Sequence, residues 1–177
     1  MQREPTSEAA DEDAVYRQIG RFVVMFQMLE AELWQLAGYA LDPASTGRGR
    51  REVTGLSFGR LVSQTLSAVG AFLDEHRPAD ETNVRGRLDA LLSDCREIAR
   101  YRNRLVHSAY VFLEASDRLA AIVRSDVSRG AGPDQVELDQ EALDGTSFDE
   151  EMTKIAETAF EIAQCRLQLI HWQRPAD

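Results

Sequence analysis

Residues 88–109 read LDALLSDCREIARYRNRLVHSA, and their apolar members stand three, four and seven positions apart. That spacing is typical of the core-facing side of an amphipathic helix and predicts a helix from about residue 81 to 107 or 108. The apolar stripe runs along Leu88, Leu92, Cys95 and Ala99. Its next position is Arg102, whose guanidinium cannot lose its proton and costs several kcal/mol to bury without partners. An ion pair, an interface or an anionic ligand would each explain it.

Three further segments show the same periodicity and predict long helices over residues 11–41, 57–75 and 147–172. Between the predicted helix that ends at residue 107 or 108 and the last one, over 147–172, residues 110–114 and 119–124 read as two short strands around a turn. The segment from 42 to 55 is rich in Gly and Arg and reads as a loop. The sequence therefore predicts a mainly all-α fold, with four to five long helices in an up-and-down bundle and a small β-hairpin inserted before the last helix.

The length of 177 residues fits one domain with a sizeable core. Residues 1–10 are acidic and aperiodic, which predicts a disordered N-terminus ahead of a single domain over 11–174. No apolar run approaches the roughly 18 residues of a membrane span, and polar residues interrupt the nearest one, 22–41. The first residues also lack the basic-then-apolar order of a secretory signal. We expect a cytoplasmic protein without membrane contact.

Cysteine and histidine usage predicts neither a disulfide nor a metal site. Cys95 and Cys165 both lie inside apolar helical patterns, so we expect two buried thiols in a reducing compartment. The three histidines, His76, His107 and His171, lack the spacings of metal ligands. We expect no metal and no other cofactor.

The net charge of −10 is distributed unevenly along the chain. Residues 14–133 carry sixteen arginines against fourteen acidic residues, and the excess of acid lies in 1–13 and 134–177. Four arginines fall within residues 96–104, and three more form an Arg48–Arg51 cluster, which reads either as a solvated loop or as an RNA clamp. A local cluster can bind a phosphate whatever the total charge. The acidity argues against a duplex DNA partner but leaves RNA open.

The segment Arg102-Asn103-Arg104-Leu105-Val106-His107 resembles the signature of the HEPN superfamily of helical proteins. That signature is an Arg, four to six residues of which the first is usually polar, and a His near the end of a long helix. The resemblance implies a metal-independent endoribonuclease that works as a homodimer, with the motifs of both subunits lining one cleft. It also implies a toxin or defence effector held in check by an inhibitory partner protein. Because the superfamily includes inactive members, a non-catalytic helical module that binds a nucleotide or a protein is the alternative.

Side-chain chemistry is compatible with those roles. Histidine side chains in general exchange a proton near neutral pH, so His107 can act as base or acid, while Arg102 offers a permanent charge matched to phosphate oxygens. Asn103 can donate and accept, so it can orient the substrate or the imidazole. Arg104 and Arg100 are candidates for binding adjacent phosphates of the substrate.

Structural explanations stand beside the catalytic ones. Arg102 could be a buried structural cation, and His107 could interact with the dipole at the end of its helix. Glu30, on the first helix, could pair with Arg102 or orient His107, or it could lie on the solvent-exposed edge of that helix. Five residues of ideal helix turn two side chains about 140° apart and about 7.5 Å along the axis. Arg102 and His107 would therefore converge only across a two-fold axis or through unwinding of the last turn.

Overall fold

The computed structural model describes residues 12–76, 78, 80–115, 118–129 and 136–173. The chain is mainly helical and carries a small antiparallel sheet, which confirms the coarse prediction of fold class. The elements in chain order are α1 (Glu12–Leu41), α2 (Arg48–Val53), α3 (Phe58–His76), α4 (Glu81–His107), β1 (Ala109–Ala115), β2 (Arg118–Arg129), β3 (Val136–Leu143) and α5 (Asp149–Gln173).

Two of these elements differ from the prediction. The six-residue helix α2 lies in the segment read as a loop, and it is too short to show helical periodicity. The expected hairpin is part of a three-stranded sheet in the order β1-β2-β3, with both pairings antiparallel. The third strand, VELDQEAL, lies in an acidic segment for which the sequence predicts no strand.

The described helices include none that is long and apolar enough to cross a membrane. Two of the polar residues that interrupt the apolar run over 22–41, Glu30 and Glu32, lie in the middle of α1.

Contacts within the chain divide it into two compact units. The first takes its described residues from Met1–Val23 and Tyr101–Glu150, and the second from Val24–Arg100 and Glu151–Asp177. The prediction of one domain over 11–174 stays a prediction, and the predicted disordered segment 1–10 lies outside the described residues.

The first unit has a core built from α1, the end of α4, the sheet and the turn before α5. Its most buried side chains are Val15, Phe22, Leu105, Ile122, Leu143 and Phe148. The Gln18 side chain is also buried, and its amide nitrogen donates to the Gly145 carbonyl and to Asp149 Oδ1, the latter at 3.1 Å. These bonds tie α1 to the turn that precedes α5.

The second unit has a larger, helical core. Leucine and phenylalanine dominate it, with Leu29, Leu33, Leu36, Leu61, Phe72, Leu73, Leu88, Leu92 and Leu169 among the buried side chains. Cys95 and Cys165 are buried free thiols here, as the sequence predicted. Burial, as the largest cause, raises the pKa of Cys95 to about 12 and also raises the pKa of Cys165, so neither is a reactive thiolate near neutral pH.

Candidate functional site

The candidate motif occupies the last turns of α4. The helix is continuous to His107, and Ser108 closes it by donating its backbone N–H (2.9 Å) and its hydroxyl (2.6 Å) to the Arg104 carbonyl. The last turn is therefore not unwound. Since the helix stays regular, Arg102 and His107 of one chain point in different directions, as ideal helical geometry requires.

Arg102, the next position of the apolar stripe, is half-buried. The physical reason is a change of neighbours along α4. From residue 101 onward the helix belongs to the first unit, and there Tyr101 and Leu105, four residues apart, turn toward the core. Arg102 lies about 100° round the helix from Tyr101, so it leaves the core face. Its Nη1 donates to Asn103 Oδ1 at 3.2 Å.

Asn103 and His107 are both exposed to solvent. They lie four residues apart, so they share one face of α4. Within the part of the chain that the structure describes, no hydrogen bond to the His107 ring is present. The imidazole is thus accessible to a substrate.

An aromatic cluster surrounds Tyr101, the residue directly before the motif. The Tyr101 ring lies 5.5 Å from that of Phe22 and 6.4 Å from that of Phe148, measured between centroids. The guanidinium carbon of Arg104, itself exposed, lies 5.5 Å from the Tyr101 centroid. Two rings of the first unit, Phe22 and Phe148, therefore fix the Tyr101 side chain directly before Arg102, and a cation–π contact helps to orient Arg104.

A second arginine of the first unit, Arg124, also contacts the Tyr101 ring, and its side chain is buried. It is 5% exposed, and its guanidinium carbon lies 5.7 Å from the Tyr101 centroid. Its Nη2 pairs with Glu141 Oε2 at 2.6 Å, whereas its Nη1 has no hydrogen-bond partner among the described residues. Arg124 is not among the residues predicted from the sequence. Its position two residues after the buried Ile122 places it on the same face of β2, which was the available signal.

Three polar side chains form a row across the sheet. Tyr110 of β1 is paired in register with Arg124 of β2, which is paired with Glu141 of β3. The Tyr110 hydroxyl donates to the Leu105 carbonyl at 2.6 Å, so it joins β1 to the last turn of α4. Burial, the largest cause, raises the pKa of Tyr110, and Arg124 opposes that shift. This cross-strand row anchors the end of the motif helix.

The remaining candidates belong to the second unit. Arg100 is exposed on α4, and Glu30 is half-buried on α1. The first unit contains Arg102, Asn103, Arg104 and His107. No group of three or more His, Cys, Asp or Glu side chains among the described residues is placed to hold a metal ion.

Comparison of the chain with family models, curated proteins and solved structures gives no match. The resemblance to the HEPN superfamily therefore rests on the motif itself.

Proposed function

We propose that this protein is a metal-independent endoribonuclease of HEPN type, with Arg102, Asn103 and His107 in its catalytic site. The observation that carries the proposal is the state of the motif at the end of α4. Asn103 and His107 are exposed, and the described residues place no acceptor or donor on the imidazole. Arg102 Nη1 donates to the Asn103 carbonyl oxygen, so these two motif side chains are in contact. A purely structural Arg–His pair would not need this access to solvent.

The three side chains match the needs of RNA cleavage. The 2′-oxygen attacks phosphorus, loses its proton to a base and forms the 2′-O–P bond, while the P–O5′ bond breaks and the 5′-oxygen takes up a proton. His107 serves as base or acid in these transfers. Arg102 stabilises the charge on the phosphorane. Because the Asn103 carbonyl oxygen already accepts from Arg102, its NH₂ group is the part that donates to the substrate.

A second copy of the chain completes the site in this proposal. One regular helix does not direct Arg102 and His107 to one phosphate, but two motif helices related by a two-fold axis can. The edge strand β1, which directly follows the motif, supports such an interface. Its Val111, Phe112 and Leu113 are between 44% and 47% exposed. An apolar edge strand is a surface on which another chain readily pairs.

The proposal extends to the setting of the enzyme. It includes an up-and-down arrangement of the four long helices, a cytoplasmic location, and an inhibitory partner protein encoded elsewhere that limits cleavage. The Arg-rich end of α4 carries Arg102 and Arg104 and is a suitable surface for RNA or for an acidic inhibitor.

Cleavage of labelled single-stranded RNA in EDTA tests the activity. We expect products ending in a 2′,3′-cyclic phosphate and a 5′-hydroxyl. Arg102→Ala and His107→Ala should each lower the rate by at least about 100-fold, the usual contribution of such groups. Arg96→Ala, which removes an exposed arginine of the same helix, should retain the rate within about threefold. Cleavage that survives both motif substitutions contradicts the proposal.

Mixing inactive variants tests whether the site is shared between chains. If Arg102 of one chain works with His107 of the other, equimolar Arg102→Ala and His107→Ala chains should regain about a quarter of the wild-type activity. A site within one chain would give no recovery. Leu113→Lys should weaken both dimerisation and cleavage by charging the edge strand. Leu167→Lys, on an exposed leucine of α5, is the matched control and should do neither.

A further inference from the structure

The second unit contains a cleft of about 690 Å³ between α1, the loop that follows it, α2 and α5. None of its lining residues belongs to the motif, so the cleft is a separate feature from the proposed ribonuclease site. Its volume falls within the range of pockets that bind small organic molecules, about 300–1,000 Å³.

The walls of the cleft combine flat apolar surface with cations. Trp34, which is 40% exposed, and Tyr39 contribute rings, while Val53 and Ile170 contribute aliphatic side chains. Arg50 and Arg166 also line the cleft. Such a mixture of aromatic surface and a few polar groups is typical of sites for small ligands.

The two arginines are in different states. Arg166 is 27% exposed and oriented within the unit, because it donates to Gln35 Oε1 and its Nη2 lies 3.4 Å from Glu32 Oε2. Arg50 is exposed, and no described carboxylate lies within ion-pair distance of its guanidinium. The neighbouring Arg48, by contrast, is paired with Glu52 at 2.7 Å. Arg50 therefore lines the cleft with a guanidinium that no described carboxylate pairs, whereas Arg166 keeps only its Nε without a hydrogen-bond partner among the described residues.

Asp42, the acidic residue of the lining, is already occupied. Its carboxylate accepts from the Thr46 hydroxyl at 3.0 and 3.1 Å and from the backbone N–H groups of Arg48 and Gly49 at 3.0 and 3.4 Å. Desolvation alone would raise the pKa of Asp42, but these hydrogen bonds lower it below its ordinary value. Its oxygens are thus occupied by Thr46 and by the start of α2, and Asp42 forms no ion pair with Arg50 among the described residues.

The helix that carries Arg50 is held in place by a close backbone contact. A Cβ atom on Gly49 would lie 2.1 Å from the Gly38 carbonyl oxygen and 2.9 Å from the Asp42 Cβ. Only glycine fits at this point, so α2 packs directly on the backbone of α1. Arg50 is therefore presented to the cleft by a fixed element, which reduces the ordering cost of binding.

We propose that this cleft binds a small organic anion with a planar ring system, whose ring packs against Trp34 and whose anionic group binds Arg50. The anionic group can be a carboxylate or a phosphate, since both accept two parallel hydrogen bonds from a guanidinium. This site does not depend on the proposed ribonuclease activity, because its residues are distinct from the motif.

NMR titration of the ¹⁵N-labelled full chain tests the site. The chain has two tryptophans, and Trp172→Phe leaves the Trp34 indole N–H as the remaining indole signal. The probes are 2-naphthoate and adenosine 5′-monophosphate, with 2-naphthalenemethanol and adenosine as their uncharged counterparts and inorganic phosphate as the anion without a ring. We expect the two planar anions to shift the Trp34 signal saturably, and the other three probes to bind at least about tenfold more weakly.

Substitutions assign the recognition to individual side chains. Arg50→Ala should weaken binding of the planar anions by about tenfold, while Arg51→Ala, the adjacent exposed arginine outside the lining, should change it less than about twofold. Ala31→Leu, which adds bulk to the wall without altering charge, should also weaken binding. Equal binding of anions and their neutral counterparts, equal effects of the two arginine substitutions, or no saturable shift of Trp34 would each overturn the proposal.

Discussion

Arg102 and Arg124 are two arginines of the same unit in opposite environments. Arg102 lies on the apolar stripe of a helix yet is half-buried beside a neutral amide, whereas Arg124 lies in a strand and is 5% exposed against a half-exposed carboxylate. The aromatic ring of Tyr101, next to Arg102 in sequence, contacts Arg124 on its buried side. The comparison therefore contrasts a half-buried arginine at the end of a helix with a buried arginine that is paired across the sheet.

The largest expected effect comes from removing the counter-charge of Arg124. Glu141→Gln leaves a buried guanidinium whose Nη1 already has no hydrogen-bond partner among the described residues. The free energy of unfolding should fall by about 2 kcal/mol, because the guanidinium is buried while the carboxylate is 40% exposed and partly screened by solvent. Glu114→Gln, on an exposed acid of β1, should change it by less than about 0.5 kcal/mol. Urea denaturation measures both, and equal values would show that Arg124 is not a buried charge in solution.

A double substitution should reverse most of that loss. Arg124→Met combined with Glu141→Gln removes the buried cation together with its partner, and an apolar chain fills the space against Tyr101. The free energy of unfolding should return to within about 1 kcal/mol of the wild-type value. Arg102→Met, at the half-buried arginine of the comparison, should leave the free energy of unfolding within about 0.5 kcal/mol of the wild-type value while abolishing any RNA cleavage. A double variant as unstable as Glu141→Gln alone would mean that Arg124 stabilises the unit by more than its charge pairing.

The sequence predicts the long helices well because their apolar periodicity extends over many turns. The observed α1, α3 and α4 begin and end within one residue of their expected positions, and α5 within two. The short α2 and the acidic β3 were missed, since six residues show no periodicity and charged side chains conceal a strand. Such elements depend on tertiary contacts, of which the Gly38–Gly49 approach is an example.

The candidate site residues from Arg102 to His107 were chosen by their spacing and stay a prediction, and their surroundings could not be predicted. The half-burial of Arg102 reflects a change of neighbours along α4. The stripe was extended past residue 100 as though one core continued, whereas α4 has new neighbours from Tyr101 onward. The cross-strand row and the cleft around Trp34 could not be predicted, because each joins segments far apart in the sequence.

A smaller effect on the free energy of unfolding should follow from removing the hydrogen bond between β1 and the motif helix. Tyr110→Phe removes the hydroxyl that donates to the Leu105 carbonyl, and the free energy of unfolding should fall by about 1 kcal/mol. Tyr16→Phe, at a half-exposed tyrosine of α1, is the control and should change it by less than about 0.5 kcal/mol. Urea denaturation again provides the measurement. If the two variants are equally stable, the Tyr110 hydrogen bond does not anchor the end of α4.

The smallest expected effect is a difference in the alkaline dependence of stability. Burial raises the pKa of Tyr110 above its ordinary value of 10.0 in the folded state, so the unfolded chain loses this proton first as the pH rises. The corresponding stability is complete below pH 10 and is lost as the pH rises through the folded pKa. The raised pKa values of the two buried cysteines also lower the free energy of unfolding as the pH rises above about 9. The wild-type and Tyr110→Phe chains share both thiols, so this contribution cancels in their difference. The gap in unfolding free energy between the two chains should therefore narrow from pH 9 to pH 11, and a gap that stays constant would mean that Tyr110 titrates as an exposed phenol.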